Sequence, residues 1–130
     1  MIIIDGTGCV LGRLASYVAK QVLRGETVKI VNCGKVIISG RKRDIERFYT
    51  EKRGRVGSGQ KGPQPIKTSD RMVKRAIRGM LPSHRQGRGR EAFKRITCYV
   101  GVPKELEGKK MISIAKEEKN KFSRVEEFSK

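Results

Sequence analysis

Tryptophan is absent from this chain of 130 residues, and Phe and Tyr together number only seven. A large aromatic interior is thereby excluded, and with 36% hydrophobic residues the core has to be small and aliphatic. Acidic residues are scarce as well: thirteen Asp and Glu face thirty-one Lys and Arg, a formal net charge of +18. A chain so charged repels itself unless a polyanion neutralises it, which leaves a nucleic acid or an anionic membrane as partner. No apolar run approaches the roughly 18 residues of a membrane span. Met1-Ile2-Ile3-Ile4-Asp5 also lacks the basic start and long apolar stretch of a signal peptide. No membrane partner is expected, and the chain reads as cytoplasmic.

The residue sets that carry chemistry are missing too. Cys9, Cys33 and Cys98 are odd in number and far apart, without the paired spacing of a zinc or redox site, and read as reduced, buried small hydrophobes. Cys9 near a helix start would be nucleophilic only with an acid-base pair beside it, and none accompanies it. His84 is the only histidine, and its neighbours Ser83, Arg85 and Arg88 suit contact with RNA rather than general-base or metal chemistry. The pairs Glu117-Glu118 and Glu126-Glu127 sit in a Lys-rich stretch and read as surface solvation. Gly6-Thr7-Gly8-Cys9-Val10-Leu11-Gly12 has the outline of a dinucleotide-binding turn, but its third glycine falls one place late. The second strand also ends at Asn32 rather than at an acid for a ribose hydroxyl. The sequence therefore predicts no enzyme, cofactor, metal or small-molecule substrate. A nucleotide-dependent enzyme built on that glycine turn is the rival reading.

What is present is localised charge. Residues 41–100 hold eighteen basic and five acidic residues, whereas 1–40 hold five and two and 101–130 hold eight and six. A solubilising surface would spread its charge, so one basic segment between nearly balanced ends marks a binding surface. Within it Arg outnumbers Lys twelve to six. The planar fork of Arg suits phosphates and base stacking, and the interspersed glycines allow close backbone approach, as in loops that order against RNA.

Periodicity outlines an α/β chain. Ile2-Ile3-Ile4 reads as a buried strand closed by Gly6 and Gly8, and Leu11, Leu14, Ala15, Val18, Ala19 and Val22 follow helical spacing up to a stop at Gly25. Thr27 to Val31 is a β-branched run that completes a βαβ unit with a parallel pair. Val36-Ile37-Ile38 is another buried run, followed by a basic helix whose apolar seam is Ile45, Phe48 and Tyr49. Residues 54–65 read as an extended loop. Ser69 or Asp70 then caps a helix with Val73, Ala76, Ile77, Met80 and Leu81 inward and Arg71, Lys74, Arg75 and Arg78 outward, ending at Pro82. A flexible basic loop over 83–90 leads to a short helix around Ala92 and Phe93, and Thr97 to Val100 reads as a strand. Beyond Pro103 apolar content is confined to Met111 to Ile114, and about 115–130 reads as a charged tail of open structure. No internal repeat is visible, and a single domain over 1–130 is expected.

Four stretches resemble a known family: Gly12-Arg13-Leu14-Ala15-Ser16, Val36-Ile37-Ile38-Ser39-Gly40, Ile77-Arg78-Gly79-Met80-Leu81-Pro82 and Tyr99-Val100-Gly101-Val102-Pro103. Together they are similar to the L-thirteen family of the large ribosomal subunit, in order from Ile3 to about Pro103. Arg88-Gly89-Arg90-Glu91-Ala92 is similar to its archaeal and eukaryotic branch, and the lack of a long C-terminal extension points to the archaeal type. The resemblance implies a three-layer α/β/α domain around a mostly parallel four-stranded sheet. It also implies a structural role in binding rRNA and supporting assembly of the large subunit, beside neighbouring ribosomal proteins. It carries rRNA contact onto Arg41, Arg43, Arg71, Arg75, Arg78, Arg88, Arg90, Lys94 and Arg95, with His84 and Arg85 in a less uniform loop. The basic segment itself adds Lys42, Arg47, Arg53, Arg55 and Lys61. A free RNA-binding regulator of translation is the alternative within the same chemistry.

Overall fold

A computed structural model describes residues 1–55, 67–115 and 122–128. Strand β1 (Ile2–Asp5) leads into helix α1 (Leu11–Leu23), which returns to strand β2 (Val28–Val31). β1 and β2 pair in parallel with Ile2 opposite Val28 and Ile4 opposite Ile30, so the expected βαβ unit is present. Helix α1 stops where expected, because Gly25 adopts a positive φ of 101° that an L side chain rarely takes.

The sheet grows outward from this pair. β4 (Ile96–Cys98) adds beside β2 and β5 (Ile112–Ser113) beside β1, both parallel, giving the order β4-β2-β1-β5. Alternation along the strands assigns the two faces. Ile4, Val28, Ile30 and Ile96 point to the main core with Leu14, Val18 and Val22 of α1. Helices α3 (Ser69–Arg78) and α4 (Gly87–Lys94) complete that layer through Met72, Val73, Ile77 and Ala92. Ile3 and Val31 point to the opposite face, where Leu106 from a short 3-10 turn covers them with Tyr99 and Met111.

Three features depart from the sequence expectation. Strand β3 (Ile37–Ser39) lies outside the parallel sheet and pairs antiparallel with β6 (Phe122–Arg124). The stretch expected as a charged tail is therefore folded over Phe122–Phe128, where Val125 and Phe128 are buried in the core. Second, α3 ends at Arg78 rather than Pro82, and the tight turn after it swings Met80 into solvent at 46% exposure. Met72, unassigned by the seam, takes the buried place. Third, neither Ser69 nor Asp70 caps α3: Thr68 holds that position without a side-chain bond, Ser69 is buried, and Asp70 lies in the first turn where its charge favours the helix dipole.

Candidate nucleic-acid interface on helices α3 and α4

Arg71, Lys74, Arg75 and Arg78 recur at i, i+3, i+4 and i+7, so they share one side of α3 while Met72, Val73 and Ile77 anchor the other. Between this cationic side and Phe93 of α4 lies an open cleft of about 270 Å³. The Lys74 ammonium sits 4.7 Å from the Phe93 ring centre, and the His84 ring lies 6.2 Å from it on a tilt of 58°. Among the described residues none of the four cations forms an ion pair, so their charge is not neutralised within the fold.

Helix α4 supplies the second wall. It begins at Gly87, so residues 87–90 of the expected flexible loop are its first turn. Gly89 permits the close approach: any side chain there would strike the backbone carbonyls of Pro82 and Ser83. Arg88, Arg90 and Lys94 are exposed on this helix, with Arg85 exposed just before it and His84 half-buried.

In the glycine turn after β1, by contrast, the amides of residues 6–9 are all engaged within the fold. Gly6 N–H donates to Val31 O, Gly8 N–H to Lys35 O and Cys9 N–H to Gly6 O. Thr7 N–H and its hydroxyl both donate to Asp5 Oδ1, at 3.0 and 2.8 Å. Asn32, held in the left-handed region at φ 56°, donates to the same oxygen from its side chain at 3.0 Å. Burial alone would raise the Asp5 carboxyl, yet these bonds and the Lys35 charge prevail and hold it below its ordinary value of 3.8. A carboxylate thus takes the Thr7 amide and hydroxyl and the Asn32 side-chain amide, so these donors of the turn are not offered to a phosphate. Gly6 serves packing, since a side chain there would meet Val36 at 2.8 Å.

The thiols are unactivated. Burial pushes the Cys9 thiol up, and a hydrogen bond with Cys98 together with burial pushes Cys33 far up. Cys98 itself is half-buried rather than buried. Among the described residues no group of His, Cys, Asp and Glu could hold a metal ion, and no helix is long and apolar enough to cross a membrane.

The family described as Ribosomal protein L13 matches residues 1–105. The chain belongs to the ribosomal protein L13 family. It is 50% identical over 116 residues to large ribosomal subunit protein uL13 of Methanosarcina barkeri, covering 88% of this chain and 81% of that one. To the uL13 proteins of Archaeoglobus fulgidus and Methanocaldococcus jannaschii it is 40% and 48% identical, over 97% and 82% of this chain and 80% and 79% of theirs. These relatives are archaeal, as the motifs imply.

The remaining basic residues of this L13-family chain fall into two groups. On helix α2 (Lys42–Arg53), Lys42, Arg43 and Arg47 are exposed, with Arg41 just before the helix and Arg55 just after it. Lys42 pairs with Glu127 at 3.7 Å and Arg47 with Glu51 at 3.3 Å. Two arginines are turned inward instead. Arg53 donates to Phe128 O and lies over the Tyr49 ring, while Arg95 donates to Val22 O at 2.9 Å and satisfies a carbonyl at the end of α1. Lys61 lies outside the described residues. The structure places Lys74 and Phe93 in the cleft with the candidate residues Arg71, Arg75 and Arg78. The spacing signal that picked out Arg71, Arg75 and Arg78 reaches Lys74, but no sequence signal joins Phe93 to α3.

Proposed function

We propose that this chain binds large-subunit rRNA through the cationic side of α3 and the exposed face of α4, and so supports assembly of the subunit. As a member of the ribosomal protein L13 family it is a structural constituent of the large ribosomal subunit in the cytoplasm, and not an enzyme. The supporting observation is the row Arg71, Lys74, Arg75 and Arg78, four cations on a buried, anchored helix with no acidic partner among the described residues. Phosphates are the ligand such a row accepts: each arginine offers a planar pair of donors, and the anchored helix fixes their spacing before binding.

The reading is tested by the salt dependence of binding to large-subunit rRNA. Each neutralised phosphate releases counterions and adds roughly 0.7 to 0.9 to the log-log slope, so four engaged cations require a slope of about 3 in magnitude or steeper. A nearly flat response would contradict an electrostatic grip.

A further inference from the structure

We infer that the cleft between α3 and α4 takes the base of one unpaired RNA nucleotide, stacked on Phe93, with its flanking phosphates on Arg71, Arg75 and Arg78. This rests on the rRNA-binding reading above and goes beyond it, because phosphate contact alone needs no aromatic side chain. Phe93 is a half-buried aromatic ring in a cleft that is lined, among the described residues, otherwise by the cations Arg71, Lys74, Arg75 and Arg78. In the free protein its ring is covered by the Lys74 ammonium at 4.7 Å, within the roughly 6 Å range of a cation–π contact. A lysine on a flexible stem is readily displaced, and once displaced its ammonium remains beside the anion that arrives with the base.

Size and chemistry select the ligand. At about 270 Å³ the cleft lies at the small end of ligand pockets, which start at roughly 300 Å³. It therefore suits one flat group inserted from a larger polyanion rather than a free small molecule. Base faces inside a duplex are covered by their neighbours, so the inserted group comes from a loop, bulge or strand end. Stacking on an aromatic ring accepts any base, and the site is accordingly expected to recognise an unpaired nucleotide without strong sequence preference.

The test compares the full chain with Phe93→Leu and Phe93→Trp in binding to large-subunit rRNA at several salt concentrations, each variant first shown to melt like the parent. Stacking contributes about 1–3 kcal/mol per base, so Phe93→Leu is expected to bind roughly 5- to 150-fold more weakly, with an unchanged salt slope and recovery in Phe93→Trp. Aromatic NMR of the unsubstituted chain gives a second readout that needs no variant. The Phe93 ring signals should shift on adding a single-stranded RNA oligonucleotide, and not on adding a fully paired duplex of equal charge. Undiminished affinity in Phe93→Leu beside a steep salt slope would overturn the stacked base while leaving rRNA binding intact. Absence of rRNA binding in the parent chain would overturn both. Equal shifts with duplex and single strand, or saturation by adenosine monophosphate at comparable concentration, would overturn the assignment to an RNA strand.

Discussion

Helices α2 and α3 are both rich in cations, yet they are built in opposite ways. α3 buries Met72, Val73 and Ile77 against the sheet and α1, so its cationic side is held at a fixed place and angle. α2 buries no residue at all; Phe48 is 56% exposed, and Ile45 and Tyr49 are only half-buried. What ties α2 down comes from the C-terminal segment: the Tyr49 ring stacks on Phe128 at 5.6 Å, Arg53 bonds the Phe128 carbonyl, and Lys42 pairs with Glu127. Lys42, Arg47, Lys52 and Arg53 thus have partners inside the protein, whereas in the α3 row only Lys74 has one, the Phe93 ring, and none of the four has an acidic partner among the described residues. Charge alone does not locate an RNA site. On the proposed reading, cations without an acidic partner on an anchored element do, because the ordering entropy is already supplied by folding of the core.

Removing the anchor of each helix should break this comparison most visibly. Ile77→Ala deletes a fully buried side chain of α3 and should cost about 2–5 kcal/mol in denaturant unfolding. Tyr49→Ala removes a half-buried ring and a stacked aromatic pair worth about 0.5–1.5 kcal/mol beyond its buried area, so it should cost less and loosen α2 selectively. Amide hydrogen exchange on the Tyr49→Ala chain would then show faster exchange in α2 and little change in α3. Comparable losses from both substitutions would mean that α2 is as firmly anchored as α3.

Acid supplies a smaller perturbation that touches neither helix. Asp5 titrates below 3.8 in the folded chain, so in the window beneath that value the unfolded state binds more protons. Its contribution is complete above about pH 4 and is lost as pH falls through the folded value. Asp5→Asn should therefore lower stability at neutral pH and flatten the further decline on acidification. An acid-melting profile parallel to that of the parent chain would show that Asp5 contributes nothing to that decline.

The legible parts of the molecule are those in which local pattern and tertiary environment agree. In α1, Leu14, Ala15, Val18, Ala19 and Val22 recur at helical spacing and all are buried, and the apolar runs of β1 and β2 pair as their composition implies. Leu106, Val125 and Phe128 are equally buried but stand as isolated apolar residues in charged stretches, with no period to reveal them. Their burial is decided by what the chain folds against. The same limit governs the basic residues. Arg53 and Arg95 read in sequence like Arg71 and Arg75, and only the folded chain shows that the first two bond backbone carbonyls while the others face the cleft. The cationic row of α3 was visible as spacing, whereas its neighbour Phe93 belongs to a helix that reaches the cleft through the close approach at Gly89.

The central claim is that rRNA is held by a localised site rather than by net charge, and two triple reversals separate these directly. Arg71, Arg75 and Arg78 changed together to Glu remove three cations and add three anions on α3. The same change at Lys116, Lys119 and Lys121 alters the net charge equally in a nearly balanced stretch. None of the three α3 arginines is buried, and circular dichroism first establishes that both chains keep the parent fold. Binding to a large-subunit rRNA fragment is then measured at one fixed salt concentration. A localised site predicts a loss of about a hundredfold or more for the α3 reversal, since attraction to phosphate becomes repulsion, and a much smaller loss for the other. Equal losses in the two chains would contradict the account.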